Sequence, residues 1–460
     1  MGAPRTRRRP ATLAVIAAAL APLGASELPT RFHVAPMQVY TNSHLRALLR
    51  ALSPSAVLWT EMEKTDDLLA RPDVIAQRLR HACEQQPLVL QLGGNEPRAL
   101  AEAARRAAAQ FGQGLAEVNI NCGCPSIETG GANYGASLMR DPALTLAIVD
   151  AVAAACPGLP VSVKCRLGVR ERWGGEEAAA TTQPDSGWWP ERDDYDALLR
   201  YVRHISSSGA LSHVVLHARA AVFAGLSPAQ NRNIPPLRPE WAHRLARDVA
   251  PLRVTLNGGV GSLADLRIAA ARARAATAAG EAPVNGVMAG RWLLRRPLDL
   301  AAVDAALLRP PSTPNAAAEC LQKPAVAVEA FGRYAARALS AGEARAAVLA
   351  VPLLLVAEQL LEDTVSPAGE ECRLGPRVVS DTCAAAREAV AVLRATGGRR
   401  RAGDGDDGDL ATGFGLADPD DPERSAAELR KLAKEIAKIS GTKVAGKVVR
   451  NRSEQRSVAS

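Results

Sequence analysis

Arg253-Val254-Thr255-Leu256-Asn257-Gly258-Gly259 and Gly286-Val287-Met288-Ala289-Gly290-Arg291 are the stretches that decide the fold. Each is an apolar run of strand length that stops at glycine. Glycine lets backbone N–H groups approach an anion, and a helix N-terminus adds favourable partial charge. A single Gly-Gly pair is usually a plain turn. Two such ends on successive runs, one with an arginine, match the phosphate site formed by the last two strand ends of a (β/α)8 barrel.

Six similar runs precede them: Phe32–Met37, Val57–Met62, Leu88–Leu92, Glu117–Cys122, Val161–Arg166 and His213–Ala218. Between the runs lie alanine-rich amphipathic stretches such as Glu96–Phe111 and Pro142–Ala155. Strand–helix alternation predicts parallel strands with crossover helices, and eight such units are the size of a TIM barrel. A doubly wound open sheet would carry Gly-x-Gly-x-x-Gly after its first strand, where this chain reads Ala35-Pro36-Met37-Gln38. The expected class is α/β: a (β/α)8 TIM barrel over 28–310, a small helical domain over 315–398 and a disordered basic tail.

The flanks carry other signals. Arg5, Arg7, Arg8 and Arg9 precede the apolar run Ala11 to Leu23, so 1–27 reads either as a targeting segment or as an arginine/alanine-rich extension. The first reading implies a plastid or mitochondrion, the second a cytoplasmic protein. After Pro310-Pro311, helices are expected over Ala325–Leu339, Gly342–Leu361 and Val378–Thr396. Residues 399–423 read as an acidic disordered linker, with eight acids and no base from 404 onward. From Arg424 to Ser460 ten bases face three acids, and Ser425–Ile439 can form a basic helix, either a solvated tail or a nucleic-acid tether. The insertion Glu171–Arg192 carries Trp188 and Trp189, which either fold the loop onto the barrel or meet a partner.

Composition narrows the class. The net charge of +8, from 56 basic against 48 acidic residues, favours a polyanionic partner only weakly. Eight dispersed cysteines form no Cys-x-x-Cys pair or zinc pattern, so a reduced compartment and no metal are expected. No segment reaches the roughly 20 apolar residues of a membrane helix.

The barrel's active site lies where its strands end. Those ends read Ala35-Pro36-Met37, Gln91-Leu92-Gly93-Gly94, Asn119 through Pro125, Lys164-Cys165-Arg166, His217-Ala218-Arg219, Asn257-Gly258-Gly259 and Gly290-Arg291. Lys164 follows small and apolar residues. A lysine there either meets an anionic ligand, such as a reduced flavin, or snorkels to the rim. His217 is either a ligand contact or a satisfied core histidine.

Together these segments resemble the tRNA-dihydrouridine synthase family. Thr60-Glu61-Met62, Gly135-Ala136-Ser137-Leu138-Met139 and Val163 through Gly168 add to the likeness. The run Gly225-Leu226-Ser227-Pro228, Asn231-Arg232 and Ile234-Pro235-Pro236-Leu237 points to the bacterial A-type branch. The resemblance covers about 31–310 and implies an enzyme that reduces uracil in tRNA, with D-loop uridines favoured, using FMN and NADPH. It implies that Pro36, Met37, Gln38, Gln91, Lys164, His217, Asn257, Gly258, Gly259, Gly290 and Arg291 surround FMN. Asn119 and Arg219 would line the uracil pocket, Tyr134 and Arg232 would face tRNA, and the protein would act as a monomer. Hydride would pass from flavin to C6 of uracil and a proton to C5, with the base taken out of its stack.

Two departures follow. The family's proton donor is a cysteine thirteen residues after the cysteine of Gly-Cys-Pro; here Ser137 stands thirteen after Cys124. A serine hydroxyl is a far weaker acid than a thiol. Ser137 relays a proton, another residue serves, or the chain is slow or inactive. Second, Gly342–Leu361 has Arg345 as its only base, where relatives carry a basic tRNA-gripping domain. An FMN barrel acting on a small molecule and a tRNA-binding relative without catalysis are the competing readings.

Overall fold

The computed structural model describes residues 30–125, 134–173, 191–308, 323–365, 374–397 and 422–441. Eight parallel strands form one sheet in the order β1-β10-β9-β7-β5-β4-β3-β2. These are β1 (Arg31–Val34), β2 (Leu58–Lys64), β3 (Leu88–Gly93), β4 (Leu115–Cys122), β5 (Val161–Arg166), β7 (Leu211–His217), β9 (Arg253–Asn257) and β10 (Gly286–Ala289). The ring closes where Val57 exchanges backbone hydrogen bonds with Phe32 and Val34, at 2.8 and 2.9 Å. The barrel is therefore complete, and every expected run holds a strand.

Period-two alternation sorts the side chains. In β4, Val118, Ile120 and Cys122 pack outward under the helices, while Glu117, Asn119 and Asn121 share the opposite, barrel-lining face. Ala35, Val57, Trp59, Val89, Val215 and Met288 form a separate apolar cluster inside the ring. The interior is thus a plugged core with polar layers above and below, not a pore.

Two short strands escaped sequence reading. β6 (Val169–Arg172) and β8 (Ala221–Ala224) pair in parallel after β5 and β7, forming a flap at the mouth. Four residues of mixed character give no usable periodicity. The Glu171–Arg192 insertion thus begins inside β6 and ends in the Glu191–Ile205 helix; Trp188 and Trp189 lie outside the described residues.

The expected helices appear as Lys323–Ser340, Ala346–Val365 and Pro376–Gly397. The helix expected over Ser425–Ile439 forms, while the reading of 424–460 as a disordered or solvated tail needs correction over its first half. Pro422–Ser440 is a helix that packs along Ala346–Val365 and buries Leu429, Leu432, Ala433 and Ile436. Its bases Arg424, Arg430, Lys431, Lys434 and Lys438 stay on the exposed face. Spacing of three and four residues between the apolar positions makes a packing stripe, which outweighs the net positive charge. This also explains why Ala346–Val365 is so apolar: it is the central helix of a four-helix bundle, seated on the barrel's Ser43–Leu52 helix. The segment 1–27 and almost all of the acidic linker lie outside the described residues.

Barrel and bundle are joined by a buried polar cluster. Arg296 contacts Asp299 at 2.9 Å and Asp363 at 2.8 Å. Gln359 donates to Asp299 at 2.9 Å and accepts from the Leu298 N–H at 2.8 Å. Among the described residues no helix is long and apolar enough to cross a membrane.

Candidate functional site

The mouth of the barrel gathers the strand ends named from sequence. Lys164 on β5 stands in register with Asn121 of β4 and Val215 of β7. Burial, with Arg166 close by, pushes its ammonium down to about 8. It has no hydrogen bond or ion pair with another described residue, which is the signature of a cation awaiting an acceptor. His217 ends β7. Burial and the positive charges of Arg166, Lys164, Arg219 and Arg291 push it well below the usual histidine value, so its ring is neutral.

The glycines at the ends of β9 and β10 lie close against His217 and Met37. Gly258 and Gly259 carry φ values of 101° and 77°, a region that L side chains enter only with strain. A Cβ on Gly258 would lie 3.1 Å from the His217 ring, and one on Gly290 would lie 2.9 Å from the Met37 sulfur. The backbone therefore closes on the same side chains that the sequence grouped together. Asn257 donates to the Met288 carbonyl at 3.0 Å and ties the last two strands. Arg291 donates to the Asn233 side chain and, at 3.2 Å, to the Arg232 carbonyl. Arg219 donates to the Pro235 carbonyl. These bonds fix Arg219 and Arg291 on a positive rim that the exposed Arg232 adjoins.

Beside the end of β4, the turn Gly135–Arg140 carries Ser137, which is half-buried. The Ala136 N–H donates to the Cys124 carbonyl at 2.8 Å, pinning that turn to the strand end. A Cβ on Gly93 would come 3.4 Å from the Tyr134 ring, so Tyr134 reaches over the end of β3. Pro36 and Met37 are half-buried, whereas Gln38 is exposed on the rim. Asn119 lies deeper, fully buried, and accepts from Gln91 at 2.8 Å.

Several residues of this site were given no role from sequence. Arg166 donates to the Gly123 carbonyl at 3.0 Å and to the Ala220 and Asn231 carbonyls at 3.2 and 3.0 Å, lacing together the loops after β4 and β7. Glu117, Ser162 and His213 sit in the interior below Lys164, and Asn121 stands level with it. The alternation Glu117-x-Asn119-x-Asn121 was the available signal: every second residue of an otherwise apolar strand is polar and shares the barrel-lining face.

The structure therefore defines a (β/α)8 barrel whose mouth offers a backbone anion cradle, an uncommitted lysine, a neutral histidine and an arginine rim. The donors suit a flat, partly anionic group with a phosphate: the cradle would take the phosphate and Lys164 a developing negative charge. The chain belongs to the dihydrouridine synthase family, whose model matches residues 33–342. A tRNA-dihydrouridine(20/20a) synthase of Xylella fastidiosa is 39% identical over 62% of this chain and 73% of its own length. The Escherichia coli K12 protein of the same description is 33% identical over 68% of this chain and 77% of its own length. A variant of NCR from Zymomonas mobilis overlays with a TM-score of 0.37 at 15% identity, covering 61% of this chain and 88% of that one.

Proposed function

We propose that this protein reduces uridine to dihydrouridine in tRNA, with FMN as the bound flavin and NADPH as its reductant. The observation that carries the reading is the convergence of Lys164, neutral His217 and the Gly258-Gly259 cradle at one barrel mouth. Family membership supplies the substrate class. When bound, the flavin supplies hydride chemistry that no side chain here can perform.

The chain's own residues do the rest. Gly258, Gly259, Gly290 and Arg291 hold the FMN phosphate, with Asn257 bracing the two strands. Pro36, Met37 and Gln38 border the ring system, and Gln91, Lys164 and His217 address its polar edge. Asn119 and Arg219 hold the uracil, while Tyr134 and Arg232 meet the surrounding tRNA. Ser137 is the proposed source of the proton for C5. Its hydroxyl is a weaker acid than a thiol, so the proton step is the slow one. D-loop uridines are the proposed target; the proposed compartment is a plastid or mitochondrion if the segment 1–27 is a targeting signal, and the cytoplasm otherwise.

The test is a two-step flavin assay. The purified protein is expected to show a flavin spectrum, bleach with NADPH, and recover colour with unmodified tRNA as dihydrouridine forms. Recovery with a small enone but not with tRNA would replace this reading with small-molecule reduction. Tight tRNA binding without recovery, favoured by the serine at 137, would make the chain a binding relative that has lost turnover.

A further inference from the structure

A single directional hydrogen-bond chain runs through the barrel interior, from the mouth to the opposite end. Its upper end is fixed by the backbone. The N–H groups of Gly123 and Cys124 donate to Asn121 Oδ1 at 3.1 and 3.0 Å, and a backbone N–H can only donate. That sets the orientation of Asn121, whose Nδ2 must donate, to Gln91 Oε1 at 2.9 Å. Gln91 Nε2 then donates to Asn119 Oδ1 at 2.8 Å, and Asn119 Nδ2 donates to Ser162 Oγ at 2.7 Å. Ser162 has one proton, and it goes to Glu117 Oε1. Glu117 ends the chain. Its other oxygen takes His213 Nδ1 at 3.0 Å, and His213 Nε2 meets Thr255 at 2.8 Å.

The polarity is required at both ends. From above, the backbone leaves each amide one possible orientation. From below, only an obligate acceptor can take the Ser162 proton. Burial alone would raise the Glu117 carboxyl, but His213, Ser162 and Arg253 offset this and hold it below the usual carboxylate range. A cavity of about 130 Å³ at the barrel base, lined by Arg31, His33, Glu117, His213 and Arg253, brings these groups together away from the mouth.

We propose that Glu117 and Ser162 are positioning residues: from the base of the barrel they hold the amides of Asn119, Gln91 and Asn121 in place, and through Asn121 the Gly123-Cys124 backbone at the mouth. Without the Glu117 acceptor, the Ser162 proton is free to turn toward Asn119. That opposes the orientation set from above, the Asn119–Ser162 bond is lost, and Asn119, Gln91 and Asn121 are held less firmly beneath Gly123 and Cys124. The same chain ends on Cys124, whose carbonyl holds the Ala136 N–H and hence the turn bearing Ser137. The inference rests on the reading of the mouth as a flavin and uracil site.

The test uses the full chain and FMN as probe. Ser162→Ala removes one oxygen and leaves the Glu117–His213 pair intact, so the barrel stays folded. It is expected to weaken FMN binding about tenfold, to alter the visible spectrum of the bound flavin, and to lower kcat for tRNA roughly 10–100-fold with KM for tRNA near the wild-type value. Glu117→Leu should act alike, and the double variant should be no worse than either single. Glu117→Gln, whose amide oxygen can still accept from Ser162, should recover most of the loss. Asp363→Asn is the control: it breaks the barrel–bundle cluster and should lower the melting temperature without changing FMN affinity. Wild-type FMN affinity and spectrum in Ser162→Ala would overturn the proposal. So would losses that merely follow the melting temperature across all variants, the control included. If tRNA never reoxidises the wild-type flavin, the functional reading fails, and FMN affinity and spectrum still decide this one.

Discussion

Replacing Lys164 by methionine should make the flavin-free protein more stable while disabling it. Methionine keeps the unbranched chain up to the ε position and drops the ammonium. Lys164 is pushed from 10.5 to about 8, because folding takes its ammonium out of water beside Arg166 without giving it an anion among the described residues. At about 1.36 kcal/mol per unit, that displacement corresponds to about 3 kcal/mol of strain in the charged form. The sign follows from proton counts. Below about pH 8 the lysine is protonated in both states, so the wild type bears the full cost. Between about 8 and 10.5 the unfolded chain holds the proton and the folded chain does not, so wild-type stability rises with pH. The Lys164→Met advantage should therefore reach up to about 3 kcal/mol near neutral pH and shrink toward zero by about pH 10.5. Urea denaturation of flavin-free protein at two pH values measures it. Adding FMN should narrow or reverse the gap, because the flavin gives Lys164 its partner. A flavin-free variant that is less stable than wild type at neutral pH would refute the argument, since it would mean the ammonium is already compensated.

Two further predictions concern the proton donor and the bundle. Ser137→Cys should speed tRNA-dependent flavin reoxidation, by up to the roughly 10²-fold that a competent general acid contributes; an unchanged single-turnover rate would remove position 137 from the proton path. Leu429→Ala should cost about 2–5 kcal/mol in thermal or urea unfolding, because Leu429 is fully buried where the Pro422–Ser440 helix meets the bundle. No change in stability would return that helix to the status of a solvated tail.

The sequence alone determined the barrel and its mouth. Eight apolar runs and their intervening helices are local patterns, and the glycines after β9 and β10 signal their backbone requirement without reference to partners. Strand ends of a parallel barrel converge by topology, so Lys164, His217, Gly258 and Arg291 could be grouped before any coordinate was known. Only the tertiary structure decided what those residues lean on. The partners of Glu117 are Ser162, His213 and Arg253, on β5, β7 and β9, because ring closure brings distant segments into register. The same holds for Pro422–Ser440: its charge pointed outward to solvent or nucleic acid, while its apolar stripe acquired meaning only beside Ala346–Val365. Periodicity states which face of an element is apolar or polar; long-range packing alone states what that face meets.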